Sequence, residues 1–189
     1  LVQMLAGRRL PLAFAVAGSA PTITVREQIL HDVAHTLADL GHDDEAVDEA
    51  LAFATALHGA ADDGRPFDEV RHRLLDPAAG RPWFDDVPTA DDAADWEHLR
   101  RLIGEPFEPT AALRCVACPF LAVYGGLDLL LPPWRGAQET GQALAEAATT
   151  DATVLVMPLG DHRLQDPDTG AFVDGYLDLL GRWASRRVG

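Results

Sequence analysis

Three stretches of the chain are apolar almost without interruption and are bounded by proline or glycine: "LPLAFAVAG" from Leu10 to Gly18, "PFLAVYGG" at 119–126 and "ATVLVMPLG" at 152–160. A continuous short apolar run of this kind predicts a strand buried on both faces, which is the pattern of a parallel sheet. Between the second and third runs, "PPWRGAQETGQALAEAA" predicts an amphipathic helix from Trp134 to Ala148. After the third, "GAFVDGYLDLLGRWASRR" repeats Phe172, Tyr176, Leu179, Leu180 and Trp183 at helical spacing. Strand, helix, strand, helix is the rhythm of an α/β fold.

The segment between the first two strands has another texture. "TVREQILHDVAHTLADLG" opens on Thr24 and Glu27 in capping-box spacing, carries an apolar stripe of Ile29, Leu30, Val33, Leu37 and Leu40, and closes on Gly41. "DDEAVDEALAFATALHG" predicts a second helix ending at Gly59, "PFDEVRHRLL" a third and "DDAADWEHLRRLIG" a fourth. The expected organisation is core residues 1–20, a helical insertion at 21–108 and core again at 109–189.

Composition narrows the function classes. The 189 residues are 48% hydrophobic and 24% charged, and no apolar run approaches the roughly 20 residues of a membrane-spanning helix. The net charge is −15 and the basic residues are all arginine. That argues against nucleic acid or an anionic membrane as partner, since both demand a basic face; the acidity reads as a solvated surface shaped by codon usage. No signal-peptide pattern follows Leu1, so a cytoplasmic location is expected. The two cysteines, Cys115 and Cys118 in "CVAC", lack the further ligands of a zinc site and run into a strand, so structural burial is expected of them.

Two residues stand where open α/β sheets place their chemistry. Asp128 in "YGGLDLLLPP" and His162 in "PLGDHRLQDP" each follow a buried strand by a few residues. If the two strands are neighbours joined by the intervening helix, carboxylate and imidazole emerge on the same edge. An aspartate accepting from one ring nitrogen fixes the tautomer and favours the imidazolium formed when the other nitrogen takes a proton.

In these residues the sequence resembles the α/β-hydrolases, whose triad runs nucleophile, acid, histidine along the chain. "LRCVACPFLAVYGGLDLLLPP" is similar to the family's penultimate strand and acid loop, and "TVLVMPLGDHRLQDPDTGAFVDGYLDLLGRWAS" to its last strand, histidine loop and closing helix. The likeness is nearest to cap-bearing serine esterases and acyl-peptidase-like hydrolases, with "VAGSAPTIT" leading into the helical block as their sixth strand leads into a cap. The resemblance implies the C-terminal part of a hydrolase sheet, three parallel strands with flanking helices and an inserted all-helical cap. It implies Asp128 as orienting acid, His162 as base, no metal or organic cofactor, and an ester, thioester or peptide-like small-molecule substrate.

The family's G-x-S-x-G elbow does not occur. Ser19 in "AGSAP" precedes Asp128 and His162, but Pro21 occupies a position where the elbow needs a small residue and no helix begins directly after it. The expectation is therefore that "LVQMLAGRR" is the helix following the elbow, ending at Gly7, and that the serine and the rest of the sheet come from a segment upstream of Leu1 or from a second polypeptide. The alternative is a non-catalytic, hydrolase-like binding or partner subunit.

The other histidines are read as structural. His31 and His35 have the i, i+4 spacing of metal ligands on one helical face but no clear third ligand, and are expected as surface or lid-facing residues. His42, His58, His72 and His98 are expected near helix ends or on charged faces, and Trp83, Phe84, Trp96 and Phe107 as cap core or the lining of an acyl pocket.

Overall fold

The computed structural model of the chain describes residues 6–8, 11–104 and 108–188. It divides into two compact units, Leu1–Ile23 with Glu108–Gly189, and Thr24–Phe107.

The first unit is built on a three-stranded parallel sheet in the order β1 (Ala15–Gly18), β2 (Phe120–Gly125), β3 (Ala152–Met157). The strand predicted from Leu10 is shorter than its apolar run. Pairing begins where Ala15 N–H donates to the Pro119 carbonyl, and Pro119 has no N–H with which to extend the ladder backwards. Residue 10 itself lies outside the described residues. β2 is the centre and is buried along its whole length. Its side chains alternate between two cores, as a pleated strand requires. Phe120, Ala122 and Tyr124 pack with Leu113, Val116, Ala143 and Leu144 on one face, and Leu121 and Val123 with Leu164 and Trp183 on the other.

Before β2 comes a short helix at Pro109–Arg114, between β2 and β3 a helix at Pro133–Ala145, and after β3 the closing helix at Tyr176–Ser185. The Pro133 helix starts one residue earlier and ends three earlier than predicted. It lies close over the sheet because Gly136 leaves room for the Tyr124 ring, whose hydroxyl shares a 2.6 Å hydrogen bond with Thr140. Phe172 does not belong to the closing helix. Gly175, at φ 82°, sets the helix start, and Phe172 instead forms an isolated antiparallel bridge with Gln165. Of the predicted helix at the chain start only residues 6–8 are described, with Ala6 and Gly7 helical.

The second unit is helical: α1 (Val25–Asp39), α2 (Asp44–Asp62), a helical run over 67–78 and α3 (Ala93–Gly104). The Thr24/Glu27 capping box is formed at the start of α1. Gly41, at φ 86°, ends it with the paired bonds Gly41 N–H to Ala38 O and His42 N–H to Leu37 O. α2 passes through Gly59, contrary to the sequence expectation. Its stop is Gly64 at φ 66°, with Gly64 N–H to Ala61 O and Arg65 N–H to Ala60 O. The 67–78 run widens into a π turn at Arg71–Leu75, one turn ahead of Pro77, whose ring would otherwise meet a carbonyl of a regular helix.

The helical core gathers Val33, Leu37, Phe53, Leu57, Trp83 and Trp96. Both indoles are buried and donate, Trp83 to Glu49 and Trp96 to the Arg65 carbonyl. Phe84 packs on Phe53, and Phe107 lies outside the described residues.

His58 lies near the end of α2, as expected, but faces the interior: it is 2% exposed, and its buried Nδ1 has no hydrogen-bond partner among the described residues. Burial first, then the positive charge of Arg26, lowers its pKa below the ordinary 6.5, opposed by Asp62. A histidine kept neutral by the fold contributes stability that is present at high pH and is lost as pH falls below the unfolded value. The stability of the wild type relative to His58→Leu is therefore expected to fall as the pH is lowered below about 6.5, read from urea unfolding of both proteins. A difference independent of pH would contradict this account.

Candidate active site

The site is made by backbone that approaches without side chains. β2 ends in Gly125 and Gly126, and the chain after β3 passes directly against them. A Cβ on Gly125 would stand 2.0 Å from the Asp161 carbonyl oxygen and 2.5 Å from that of Gly160; one on Gly126 would stand 2.7 Å from the Pro158 oxygen. Two hydrogen bonds fasten the approach, Gly126 N–H to Met157 O and Leu127 N–H to Gly160 O, each 2.8 Å.

From this junction the Asp128 side chain turns inward and is wholly buried. Its Oδ1 accepts from the backbone N–H groups of Leu130 at 2.9 Å and Leu131 at 3.1 Å. Its Oδ2 lies 2.9 Å from His162 Nδ1. The carboxylate can only accept, so Nδ1 carries the proton and, in the neutral ring, Nε2 holds the free lone pair. Nε2 has no hydrogen-bond partner among the described residues, and the His162 side chain is 38% exposed. The arrangement is a base with one nitrogen fixed and the other presented to the surroundings.

His162 has its pKa raised above the ordinary 6.5. The hydrogen bond that Nδ1–H donates to Asp128 is the main cause, burial opposes it, the charges of Asp128 and Asp161 add to it, and Arg163 subtracts. The turn that carries the ring is tightly tied. Asp161 N–H donates to Gln165 O, Asp161 Oδ1 accepts from the N–H groups of Arg163 and Gln165, and Leu164 N–H donates to Asp161 O.

The structure brings together the two residues that the sequence singled out. Neither serine of the chain joins them. Ser19, at the end of β1, is 5% exposed, has φ 42°, and its Oγ has no partner among the described residues. The helix that follows it begins only at Val25. Ser185 donates back to the Gly181 carbonyl within the closing helix.

His31 and His35 stack with ring centroids 3.9 Å apart, and among the described residues no three or more His, Cys, Asp or Glu are grouped to hold a metal. Cys118 is buried, which raises its thiol pKa, but Cys115 is exposed at the end of the Pro109 helix, contrary to the expectation for the pair. No described helix is long and apolar enough to cross a membrane. A cavity of about 310 Å³ lies in the helical unit, over Ala56, Gly59, Ala60, Val70 and Leu74; its charges are already paired, Arg65 with Asp63 and Glu69, and Arg73 with Glu69.

Sequence reasoning missed two features. One is the apolar rim: Leu127, Leu130, Trp134, Leu159 and Phe172, all exposed, stand on the segments that follow β2 and β3. The other is Leu164, buried two residues beyond the histidine at φ 61°. Part of the signal for the rim was available, since Leu127 and Leu130 are large apolar residues in a predicted loop, whereas Trp134, Leu159 and Phe172 fell within predicted elements; no sequence pattern announces a leucine in the left-handed region.

Asp128→Asn removes the charge and puts an amide nitrogen in place of one accepting oxygen, so the His162 titration midpoint is expected to fall, measured on the imidazole resonances. Gly125→Ala is expected to destabilise the first unit by about 3 kcal/mol or more, because its methyl meets backbone that has no free rotation; urea unfolding measures this. No family model matches the sequence, and a search of curated proteins finds no matching relative.

Proposed function

We propose that Asp128 and His162 are the acid and base of a serine hydrolase acting on a carboxylic ester, thioester or amide. In this reading the chain contributes the C-terminal part of an α/β-hydrolase sheet with a helical cap, and the nucleophilic serine comes from outside these residues. The observation that carries the reading is the bond between His162 Nδ1 and a wholly buried Asp128 carboxylate, with the second carboxylate oxygen held by two backbone amides.

The chemistry follows from that geometry. Nε2 takes the proton of the attacking hydroxyl as its oxygen bonds to the acyl carbon, and Asp128 stabilises the imidazolium so formed. The same proton then passes to the departing alkoxide, thiolate or amine as the acyl bond breaks. Water repeats the sequence on the acyl-enzyme and regenerates the serine. Backbone amides outside this chain supply the oxyanion donors. The exposed apolar side chains on the segments that follow β2 and β3, the segments that also carry Asp128 and His162, favour an acyl or otherwise apolar group on the substrate.

A second reading is supported by the state of the two hydroxyls, since Ser19 is buried and Ser185 is committed to its own helix. In that reading the chain is a hydrolase-like binding or partner subunit without a nucleophile.

One experiment separates them. The native protein is treated with a fluorophosphonate probe, with native mass spectrometry to reveal any second polypeptide that completes the sheet. Labelling at a serine, with ester turnover reduced about 10²–10⁴-fold in His162→Ala, is the expected result; turnover should also decline as pH falls through a midpoint above 6.5, because the raised pKa keeps the ring protonated there. Labelling and turnover unchanged in His162→Ala remove the triad assignment. No labelling and no turnover in the wild type leave the partner-subunit reading.

A further inference from the structure

The turn that carries His162 is anchored from below by one side chain. Leu164 is 2% exposed and sits in the core formed by Leu121, Val123 and Trp183. Its main chain is at φ 61°, a region that a bulky L-residue rarely adopts. The fold sustains this conformation because everything around Leu164 is fixed. Its N–H donates to Asp161 O, and its carbonyl accepts from Val173 N–H, both at 3.0 Å. Gln165, next to it, bridges Phe172.

Leu164 also reaches across the sheet. A Cβ built on Gly160 would lie 3.4 Å from Leu164 Cα, and one on Gly18 the same distance from Leu164 Cδ1. The side chain thus runs from the loop after β3 to the end of β1, over the strand that leads to Asp128. Leu164 and His162 are two residues apart on a turn closed by Asp161 and Gln165, one side chain sunk in the core and the other half-exposed on Asp128.

We propose that Leu164 is a positioning residue for His162: its burial beneath the sheet end, held at the cost of a left-handed backbone, fixes the turn so that the imidazole meets Asp128. A half-exposed ring on a solvent-facing turn has many rotamers and water as a competing partner. What restricts it is the turn, and what restricts the turn from the core side is Leu164. That this matters for turnover rests on the reading of His162 as a base; that it sets the His162–Asp128 bond does not.

The test is read on the ring itself, by the pH titration of His162 and by the Nδ1 proton resonance in protein labelled with ¹⁵N-histidine. The groups that face the ring are Asp128, Asp161 and Arg163, and all are retained. Leu164→Ala is expected to bring the His162 midpoint down toward the ordinary value, with loss of the Nδ1 proton signal to exchange. Leu164→Met, which keeps the volume, should preserve both. Leu164→Gly relaxes the backbone but removes the anchor, and should behave like Leu164→Ala. Leu179→Ala, a truncation in the same core but on the closing helix, should lower stability and leave the titration in place.

If the Ala and Gly variants do not fold, Leu164→Val is read in their stead and should give a smaller shift in the same direction. An unchanged midpoint and a retained proton signal in a folded Ala or Val variant overturn the proposal, as does full recovery in Leu164→Gly, which would assign the effect to the backbone. Should the titration move as expected while the native wild type shows neither labelling nor turnover, the hydrolase reading fails and the positioning role stands.

Discussion

The arrangement at the sheet edge depends on a position where no side chain fits. The carbonyl oxygens of Gly160 and Asp161 occupy the space that a Cβ on Gly125 would take. This approach is much closer than packed side chains permit, and it is what lets the loop leaving β3 cross onto the end of β2. Asp128 lies three residues beyond Gly125 and His162 two beyond Gly160. Once the two backbones are in contact, each side chain has only a short, hydrogen-bonded turn between it and the junction. The precision of the 2.9 Å bond therefore originates in main-chain contact rather than in the aspartate and histidine themselves.

Seen this way, it is clear which parts of the molecule were legible in the amino-acid order. β2 showed because a central parallel strand must be apolar on both faces, and it is buried at each of its residues; β1 and β3 showed by similar apolar runs but are only partly buried, short of the burial on both faces that those runs predict. The strand-end positions of Asp128 and His162 followed from the same runs. What periodicity does not carry is the sign of φ. Gly41 and Gly59 look alike in sequence, each closing an apolar stripe, yet only Gly41 is left-handed; the second stop is Gly64, where two carbonyls of α2 find donors. Phe172 was absorbed into a helical stripe because its spacing suits one, and Gly175 placed the boundary after it. His58 has the composition of a surface helix end around it and the burial of a core residue, which only tertiary packing decides.

The two histidines also show how one side chain type is driven in opposite directions by what meets it. His58 and His162 both lose solvent, and that loss alone lowers a histidine's pKa. At His58 the opposing charge of Asp62 is the smallest of the causes: the ring Nδ1 has no hydrogen-bond partner among the described residues and Arg26 stands near, so the neutral ring is favoured. At His162 a carboxylate already stripped of water faces the ring, and its hydrogen bond outweighs the desolvation. Burial sets the scale of the effect, and the partner sets its sign. The two groups consequently pull the stability of the protein in opposite directions as pH changes, His58 favouring high pH and His162 low pH.

The Asp128–His162 pair is a poor candidate for a stabilising device. One partner is a fully buried carboxylate, whose removal from water is expensive even with three hydrogen bonds to offset it, and the other is half-exposed, where water screens the attraction. Around it the fold accepts further penalties. Gly125 and Gly126 carry the backbone entropy of glycine in and beside a central strand, and Leu164 and Ser19 hold positive φ without being glycine, each costing on the order of 1 kcal/mol. Elsewhere the same unit is conventional: the Tyr124–Thr140 bond is satisfied within the core, and Arg187 is paired with Asp151 while stacked on Trp183. In the first unit the buried carboxylate of Asp128 and the left-handed backbones of Ser19 and Leu164 all follow the C-terminal ends of the strands. At Leu164 the strain and the pair share one setting, the close approach of the loop after β3 to the end of β2.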